Sequence, residues 1–233
     1  LILRSSPASP FGRKVKIAMH HLGLAGRIEV VMADTADPED SLRGQNPLGK
    51  IPVLILEDGL ALYDSRVILE YLDHLAGGGR IIPAGPGRFE VLRLQALADG
   101  IMDAAILQVY ERRMRPPELW HEGWTTYQAG KVGRALAALE ATLPAFSPAL
   151  DVGTIALAAA LGYLDLRFPG SWRRGAAPAP APPAGKRRAA GQAAGAAPRS
   201  AAAPSHTGPI SASPASTDRS WPATNGLALP ERR

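Results

Sequence analysis

The chain has 233 residues, of which 46% are hydrophobic, so it can form one large domain or two small ones that share an interface. The absence of cysteine excludes disulfides, thiolate metal sites and an enzyme that uses its own cysteine as nucleophile. The net charge is +5, but residues 173–233 contain nine Lys or Arg and two Asp or Glu, which leaves 17 basic and 19 acidic residues in 1–172. Because the basic surplus lies in the last quarter, the pI is no argument for nucleic acid as a partner.

Membrane association and secretion are not indicated. The most apolar stretch, residues 155–166, is interrupted by Gly162, Tyr163 and Asp165 and is too short to span a bilayer. The first residues do not combine a basic segment with a following apolar one, as a signal peptide would. We therefore expect a cytoplasmic protein without a membrane partner.

The first 75 residues alternate between strand and helix patterns. Ser9-Pro10 is a strong helix start, with serine as the N-cap and proline at the first helical position. In chain order the pattern predicts a strand at 1–3, a helix at 9–22, a strand at 28–32, a short helix at 38–43, a hairpin at 51–56 and 60–63, and a helix at 64–75. This order resembles a thioredoxin-like fold.

The residues from 88 to 166 follow a helical pattern. Helices are predicted at 89–114, 124–143 and 151–166, and the last is apolar on nearly every side, which is typical of the centre of a helical bundle. Pro, Ala, Gly and Ser dominate after Trp172, so that segment has too little apolar area to offset its ordering entropy. The predicted regions are a first domain at 1–77, a flexible linker at 78–87, a truncated bundle at 88–172 and a disordered tail at 173–233.

Ser9 is the first candidate for chemistry. It lies at the N-terminus of the first helix, where backbone N–H groups and the helix dipole favour an anion. A thiol bound there would ionise more easily, and the serine hydroxyl could donate a hydrogen bond to the thiolate. Considered alone, an N-cap serine is more often structural.

Residues 46–53, Asn-Pro-Leu-Gly-Lys-Ile-Pro-Val, form a second candidate. A cis peptide between Ile51 and Pro52 would turn the Ile51 N–H and C=O outward, as a two-point clamp for an extended peptide. An ordinary trans proline at a strand start is the alternative. Lys50 could balance the carboxylate of a ligand, although a lone lysine is usually solvated.

Asp64-Ser65, at the start of a helix, is a third candidate. The Ser65 hydroxyl and the nearby N–H groups could hold a carboxylate, and Asp64 could take an ammonium group. The pair therefore suits an α-amino acid end, with a purely structural cap as the alternative. Further on, Asp151 is predicted to cap its helix by accepting from the Thr154 N–H, without the return hydrogen bond of a capping box.

Three segments together resemble the glutathione-binding half of the glutathione transferase family: Ser-Pro-Phe-Gly-Arg-Lys-Val at 9–15, residues 46–53, and Asp-Ser-Arg-Val-Ile-Leu-Glu-Tyr-Leu at 64–72. Residues 96–103 and 155–165 resemble the helical half of a bacterial subgroup. The resemblance covers residues 1–172. It implies an α/β thioredoxin-like N-terminal domain followed by an all-α bundle domain, reduced glutathione as the co-substrate, no metal or prosthetic group, and a homodimer.

The resemblance also implies roles in glutathione binding for individual residues. They are Ser9 (or Ser6, if the loop register shifts) at the thiol, Ile51 and the family's cis-proline Pro52 at the cysteinyl backbone, Asp64 and Ser65 at the γ-glutamyl group, and Lys50 at the glycyl end. A small hydrophobic electrophile would lie against the helical domain. The candidates there are Met102, Ile106 and Tyr110, although their spacing favours a place in the core.

The leading hypothesis is an enzyme of detoxification that ionises the glutathione thiol and conjugates it to a small electrophile or reduces a peroxide. One alternative is a glutathione-binding module of the same fold with little or no turnover. Another, less favoured, is a nucleic-acid binder that uses Lys186, Arg187 and Arg188 in the tail.

The C-terminal part departs from the resemblance. Family members continue with a further helix packed on the bundle, whereas this chain has an Ala/Pro/Arg tract from about residue 173. We hypothesise a reading-frame shift near residues 173–182. Apolar surface on the helices at 89–114 and 151–166 would then lack its usual cover.

Overall fold

A four-stranded mixed sheet organises the first half of the chain. The computed structural model describes residues 1–142 and 150–172, all within one compact unit. The strands are β1 (Ile2–Ser5), β2 (Glu29–Met32), β3 (Val53–Ile55) and β4 (Ala61–Leu62), in the order β2-β1-β3-β4. β1 pairs parallel with β2 and antiparallel with β3, and β3 pairs antiparallel with β4. The two central strands are therefore β1 and β3.

Helices α1 (Pro10–His21) and α3 (Ser65–Leu75) share a core with this sheet. The fully buried members of that core include Leu3, Val15, Leu54, Ile68 and Leu72. The order strand, helix, strand, helix, strand, strand, helix confirms the predicted thioredoxin-like arrangement. β1 reaches Ser5, beyond its predicted end, because its pairing with β2 continues to that residue.

The short helix α2 lies later in the chain than predicted, at Leu42–Gln45 instead of 38–43. Two aspartates hold the preceding residues in turns. The Asp37 carboxylate accepts from the Glu39 N–H at 2.9 Å, and the Asp40 carboxylate accepts from the Leu42 N–H at 2.8 Å. Such side-chain bonds compete with helical ones, so the helix begins only after Asp40.

The segment after α3 is fixed at its start by Asp73. Three glycines with positive φ, from 70° to 102°, end the helix at residues 77–79. The buried Asp73 carboxylate then accepts from the N–H groups of Gly79, Arg80 and Ile81 at 2.7–2.9 Å. Ile81 and Ile82 are themselves buried in the core of the first half. Within the predicted flexible linker, Gly79 and Arg80 are thus held by hydrogen bonds to Asp73, and Ile81 and Ile82 are packed in the core.

The described part of the second half is helical, as predicted. It contains α4 (Gly87–Met114), α5 (Glu122–Thr142) and α6 (Val152–Arg167). The central position expected for α6 agrees with its burial, which includes Ile155, Ala156, Ala159, Ala160 and Leu164. Short 3-10 turns lie at Ala25–Arg27 and Pro117–Leu119.

The N-terminus of α6 has a complete capping box, so the prediction of a one-sided cap is wrong. Asp151 Oδ1 accepts from the Thr154 N–H at 2.8 Å, as expected. The return bond is also present, because Thr154 Oγ1 accepts from the Asp151 N–H at 2.9 Å. The Thr154 hydroxyl therefore accepts the N-cap N–H bond that a Glu or Gln side chain accepts in an ordinary capping box.

Gly153 sets how closely α6 approaches α4. A Cβ at this position would lie 2.7 Å from the Val91 carbonyl oxygen and 2.8 Å from Leu94 Cβ. Both distances are shorter than van der Waals contact, and the first involves backbone. The first turn of α6 can therefore pack at this distance only with glycine.

A buried ion network joins the two halves. Lys14 on α1 places its Nζ 2.7 Å from Asp99 Oδ1 on α4, and both side chains are almost completely buried, at 0% and 1% exposure. The second oxygen of Asp99 lies 2.8 Å from Nε of Arg66 on α3. One carboxylate therefore ties three helices together.

The C-terminal hypotheses concern residues that the structure does not describe. The disordered tail at 173–233, the frame shift at 173–182 and the basic group at 186–188 all lie outside the described residues. Within the described part, large apolar side chains on α4 and α6 are solvent-exposed, among them Phe89, Leu107 and Leu166. The domain boundaries at 77 and 88 remain predictions.

Gly153→Ala should lower the free energy of unfolding by about 2 kcal/mol, because the added methyl group overpacks the contact between α4 and α6. Gly100→Ala on α4 is the matched control, since nothing lies within 4 Å of its added Cβ. That control should leave stability unchanged or raise it by up to about 1 kcal/mol through helix propensity. Urea denaturation measures both, and equal effects would contradict the close approach.

Asp99→Asn should lower the free energy of unfolding by about 3 kcal/mol, because the buried Lys14 ammonium loses its counter-charge. Glu70→Gln is a control, since it removes the exposed ion pair with Arg88 (2.7 Å) and should cost less than about 1 kcal/mol. Thermal and urea unfolding of the two variants provide the comparison. Costs of similar size would show that the buried network does not hold the halves together.

Candidate functional site

A cavity of about 260 Å³ brings together the segments that the sequence singles out. From the predicted set it is lined by Lys50, Ile51, Pro52, Asp64 and Ser65. The other lining residues are Phe11, Asn46, Leu48, Tyr63, Arg66, Asp99 and Asp103. The cavity therefore lies where the loop before β3, the start of α3 and the middle of α4 meet.

The loop before β3 presents a free backbone edge at Ile51. The Ile51–Pro52 peptide is cis. Neither the N–H nor the C=O of Ile51 has a hydrogen-bond partner in the described part of the chain. A ligand with an extended backbone can therefore pair with both groups, which is the clamp predicted from the sequence.

Asn46 fixes the shape of this loop, although the sequence analysis gave it no role. Its side chain donates to the Lys50 carbonyl oxygen at 2.9 Å and accepts from the Leu48 N–H at 3.0 Å. The residue is buried, and Gly49 has φ 60°, which favours glycine. Its place at the start of the Asn-Pro-Leu-Gly turn is the signal that could have identified it.

The start of α3 offers polar groups to the cavity. Asp64 caps the helix by accepting from the Arg66 N–H at 2.9 Å, as predicted, and the Tyr63–Asp64 peptide is cis, which was not predicted. The Ser65 hydroxyl has no hydrogen-bond partner among the described residues. This hydroxyl and the first N–H groups of α3 can donate hydrogen bonds to the carboxylate of a ligand.

Two carboxylates and two cations missed by the sequence analysis surround this helix start. Arg66 and Asp99 line the cavity and pair with each other, and Asp103 lies one turn along α4 from Asp99. Asp99 and Asp103 stand in the segment 96–103, Arg66 in 64–72 and Lys14 in 9–15, which were all quoted without a role for these four residues. Nothing in the sequence pairs Lys14 with Asp99, because the two are 85 residues apart.

Burial and charge shift the pKa values of these groups. Burial raises the pKa of the Asp103 carboxyl, and the charge of Asp99 acts in the same direction. Burial lowers the pKa of Lys14, which its pairing with Asp99 partly offsets. The hydrogen bond to Asp99 raises the pKa of Arg66, which therefore stays charged. The cavity thus contains both signs of charge, as a zwitterionic ligand requires.

Ser9 is the N-cap of α1, and its Oγ accepts from the Gly12 N–H at 3.0 Å. Its hydroxyl hydrogen can still be donated to a ligand. Neither Ser9 nor the alternative, Ser6, lines the cavity; Phe11, in the first turn of the same helix, does. A Cβ on Gly12, next to this cap, would clash with Ser5 Oγ, so a larger residue there would require the Ser5 hydroxyl to rotate away.

The three electrophile candidates lie outside this cavity. Met102 is completely buried and packs in the core between α4 and α6, where its spacing also allowed it to be. Ile106 is half-buried against the same core, and Tyr110 is 41% exposed. Asp103 lines the cavity in place of Met102, since adjacent helical residues point about 100° apart.

The described part of the chain was compared with the requirements of a metal site and of a membrane-spanning helix. Residues 1–142 and 150–172 contain no group of three or more His, Asp or Glu side chains that could hold a metal ion. None of the helices described there is long and apolar enough to cross a membrane.

Comparison with known proteins identifies the architecture. Residues 8–75 match the model of the glutathione S-transferase N-terminal domain. The uncharacterised GST-like protein YibF of Escherichia coli K12 is 34% identical over 169 residues, which cover 71% of this chain and 82% of YibF.

Solved structures extend the likeness to both halves. A glutathione transferase family member from Pseudomonas fluorescens Pf-5 with bound glutathione is 44% identical, with a TM-score of 0.68 over 74% of this chain and 87% of that one. A second structure from that organism, with bound S-(propanoic acid)-glutathione, is 46% identical, with a TM-score of 0.66 over 72% and 84% of the two chains. Sequence, fold and relatives agree: the chain belongs to the glutathione S-transferase family.

Proposed function

We propose that this chain binds reduced glutathione in the 260 Å³ cavity, stabilises its thiolate at the N-terminus of α1, and transfers it to small electrophiles. The observation that carries the proposal is the unpartnered backbone of Ile51, which lies in one cavity with the polar start of α3. An extended peptide that ends in an amino acid zwitterion matches both features. The glutathione bound by the Pseudomonas fluorescens relative supports the same ligand.

Each part of the tripeptide has a complementary group. The cysteinyl backbone pairs with the N–H and C=O of Ile51. The carboxylate of the γ-glutamyl group binds at Ser65 and the N-terminus of α3, and its ammonium faces Asp64 and Asp103. The glycyl carboxylate lies within reach of Lys50, an exposed cation at the edge of the cavity.

The chemistry follows from the first turn of α1. A free thiol titrates near pH 8.5, and the partial positive charge of a helix N-terminus lowers that value. Ser9 accepts from the Gly12 N–H and donates its own proton to the sulfur, so the cap and the thiolate share one hydroxyl. The thiolate then bonds to the electrophilic carbon, the leaving group departs with its electron pair, and the thiol proton goes to solvent.

A glutathione-binding module with little turnover is the second candidate. One observation favours it: Ser9 does not line the cavity, and its oxygen is already engaged as the cap of α1. Titration with glutathione together with conjugation of an aryl chloride distinguishes the two functions. Tight binding without turnover would favour the module.

Further parts of the proposal rest on family membership. They are a homodimer, a cytoplasmic location, peroxide reduction as a second activity, and a role in detoxification. The S-(propanoic acid)-glutathione bound by the second Pseudomonas fluorescens structure supports conjugates as ligands of this chain too.

Ser9→Ala should lower kcat/KM for conjugation by about 10- to 100-fold, because the thiolate loses one charge-assisted hydrogen bond. The dissociation constant of glutathione should change little. The pH profile should move to higher pH, since the thiol pKa rises toward the value of free glutathione. The absorbance of the bound thiolate, measured by stopped flow between pH 5 and 9, gives that pKa. This range includes the pKa of a free thiol, about 8.5.

Ser6→Ala is the matched control, because Ser6 lies in the same loop and is the alternative thiol contact. Its activity should stay within about twofold of the parent chain. A large loss in this variant with none in Ser9→Ala would move the thiol contact to Ser6. Parent activity in both variants would leave thiolate stabilisation by serine without support.

A further inference from the structure

Arg4 on β1 is a buried cation to which the site described above gives no role. It follows Leu3, which packs in the core with α1 and α3, so the Arg4 side chain points to the other face of the sheet. Its Nη2 lies 2.7 Å from Asp40 Oδ1, and its Nη1 donates to Ser41 Oγ at 2.9 Å and to Gln45 Oε1 at 3.2 Å. One guanidinium therefore binds the turn before α2 and the last residue of α2.

The Asp40 carboxylate is held in place by its own loop. Its two oxygens accept from the N–H groups of Asp34 and Leu42, both at 2.8 Å. These bonds and the charge of Arg4 lower the pKa of the carboxyl, so it stays ionised. The side chains of Arg4 and Asp40 are 10% and 11% exposed, so solvent screens their attraction less than that of a surface ion pair. The pair is therefore a firm link between β1 and the loop before α2.

The backbone of Arg4 holds the other end of the same stretch of chain. Arg4 stands opposite Val53 in the antiparallel ladder between β1 and β3, and Val53 follows Pro52 directly. Residues 40–53, here called the 40–53 segment, thus begin at the side chain of Arg4 and end at its backbone. Leu42 and Val53 are both completely buried in one small cluster beneath the segment.

The 40–53 segment carries one wall of the glutathione cavity, which includes Asn46, Lys50 and Ile51. Asn46 comes directly after Gln45, and its N–H bonds to the Leu42 carbonyl oxygen at 2.7 Å. The hydrogen bonds of its side chain then set the course of the loop as far as Lys50. A shift of α2 would therefore be passed through Asn46 to the backbone of Ile51.

The rest of the cavity wall is built without Arg4. It comes from the starts of α1 and α3 and from the middle of α4. Within residues 1–142 and 150–172, the side chain of Arg4 has no hydrogen bond to any of these three helices. Arg4 therefore acts on one wall of the cavity and not on the other.

We propose that Arg4 is a positioning residue for glutathione: by fixing the 40–53 segment, it sets where Ile51 and Lys50 meet the cysteinyl and glycyl parts of the tripeptide. This inference rests on the proposed function, because it concerns how that ligand is held. The γ-glutamyl end and the thiol bind to α3 and α1 in the proposed complex, so neither depends on Arg4. Loss of Arg4 should thus weaken binding without changing the chemical step.

Arg4→Gln in the full chain should raise the KM for glutathione about tenfold, because the wall that binds the peptide backbone is no longer fixed. At saturating glutathione, kcat should stay within about twofold of the parent value, the pattern of a lost binding contact. Calorimetric titration should show the same rise in the dissociation constant, with the same number of sites per chain. A variant that only folds less well would show fewer sites and a lower kcat at unchanged KM. That result, or an unchanged dissociation constant, would overturn the inference.

Glutathione and its glycyl monoethyl ester test whether the effect lies in the 40–53 segment. The ester lacks only the charge that Lys50 would contact. We define the glycyl ratio as the dissociation constant of the ester divided by that of glutathione. It should be about three to five in the parent chain and fall toward one in Arg4→Gln. The same ratio in both proteins would overturn the inference.

Three further variants sharpen the comparison. Arg4→Lys keeps a charge beside Asp40 but has one ammonium for three acceptors, so its KM should lie between those of the parent and Arg4→Gln. Gln45→Ala removes one acceptor and should raise the KM about twofold. It decides the question if Arg4→Gln does not fold, since an unchanged KM there overturns the inference. Arg27→Gln is the control with parent values, because it removes an equal charge from an exposed side chain.

The same titrations separate this inference from the proposed function. The dissociation constants need no turnover, so they measure the role of Arg4 even in a chain that binds glutathione without conjugating it. Equal affinities of the parent and Arg4→Gln would overturn the inference alone. A parent chain that binds neither glutathione nor its ester would overturn the proposed function, and the inference with it.

Discussion

The Asp99 carboxylate is the point on which the two halves of the structure depend. It is almost fully buried, and each of its oxygens holds one cation, Lys14 from α1 and Arg66 from α3. Lys14 and Asp99 are buried, whereas the Arg66 side chain is 54% exposed. Burying the ammonium and the carboxylate is favourable only when they pair, so their contact constrains how α1 packs against α4. Ser9 caps α1 and α3 begins at Ser65, so this one carboxylate links the two helices whose N-termini belong to the proposed site. The site is thus a consequence of how the halves are joined.

In the proposed complex, two helix N-termini with different functions face one ligand. The N-terminus of α3, with Asp64 and Ser65, suits a zwitterionic amino acid end, and that of α1 suits a thiolate. The free backbone of Ile51 lies in the cavity with the first of them and matches the extended peptide between the two ends.

Local signals in the sequence predicted most of the architecture. Ser9-Pro10, Asp64-Ser65 and Asp151 each mark a helix start through cap chemistry that involves only neighbouring residues, and all three lie at helix N-termini in the structure. The short helix α2 was misplaced because Asp37 and Asp40 hold turns that a hydrophobic pattern does not reveal. At the start of α6, the Thr154 hydroxyl accepts from the Asp151 N–H and completes the capping box. The usual sequence pattern of a capping box has Glu or Gln at that position, so it did not predict this bond.

The long-range features of the site were not predictable in that way. Lys14 and Asp99 are each a single charge in a helical pattern, where a solvated position is the usual outcome, and only the packing of α1 against α4 brings them together. Asp103 lines the cavity where Met102 was expected, and these neighbouring side chains point about 100° apart on α4. Because one side of α4 packs in the core and another lines the cavity, hydrophobic periodicity alone does not tell which of the two residues faces the cavity. The cis peptide before Asp64 likewise follows from no local motif.

A crystal structure of the full chain with reduced glutathione tests the central assignment most directly. We predict the tripeptide in the 260 Å³ cavity, paired through its cysteinyl backbone with both polar groups of Ile51, its γ-glutamyl end at Ser65, and its sulfur within hydrogen-bond distance of Ser9 Oγ. An empty cavity at saturating glutathione, or a tripeptide whose sulfur points away from the first turn of α1, would contradict it.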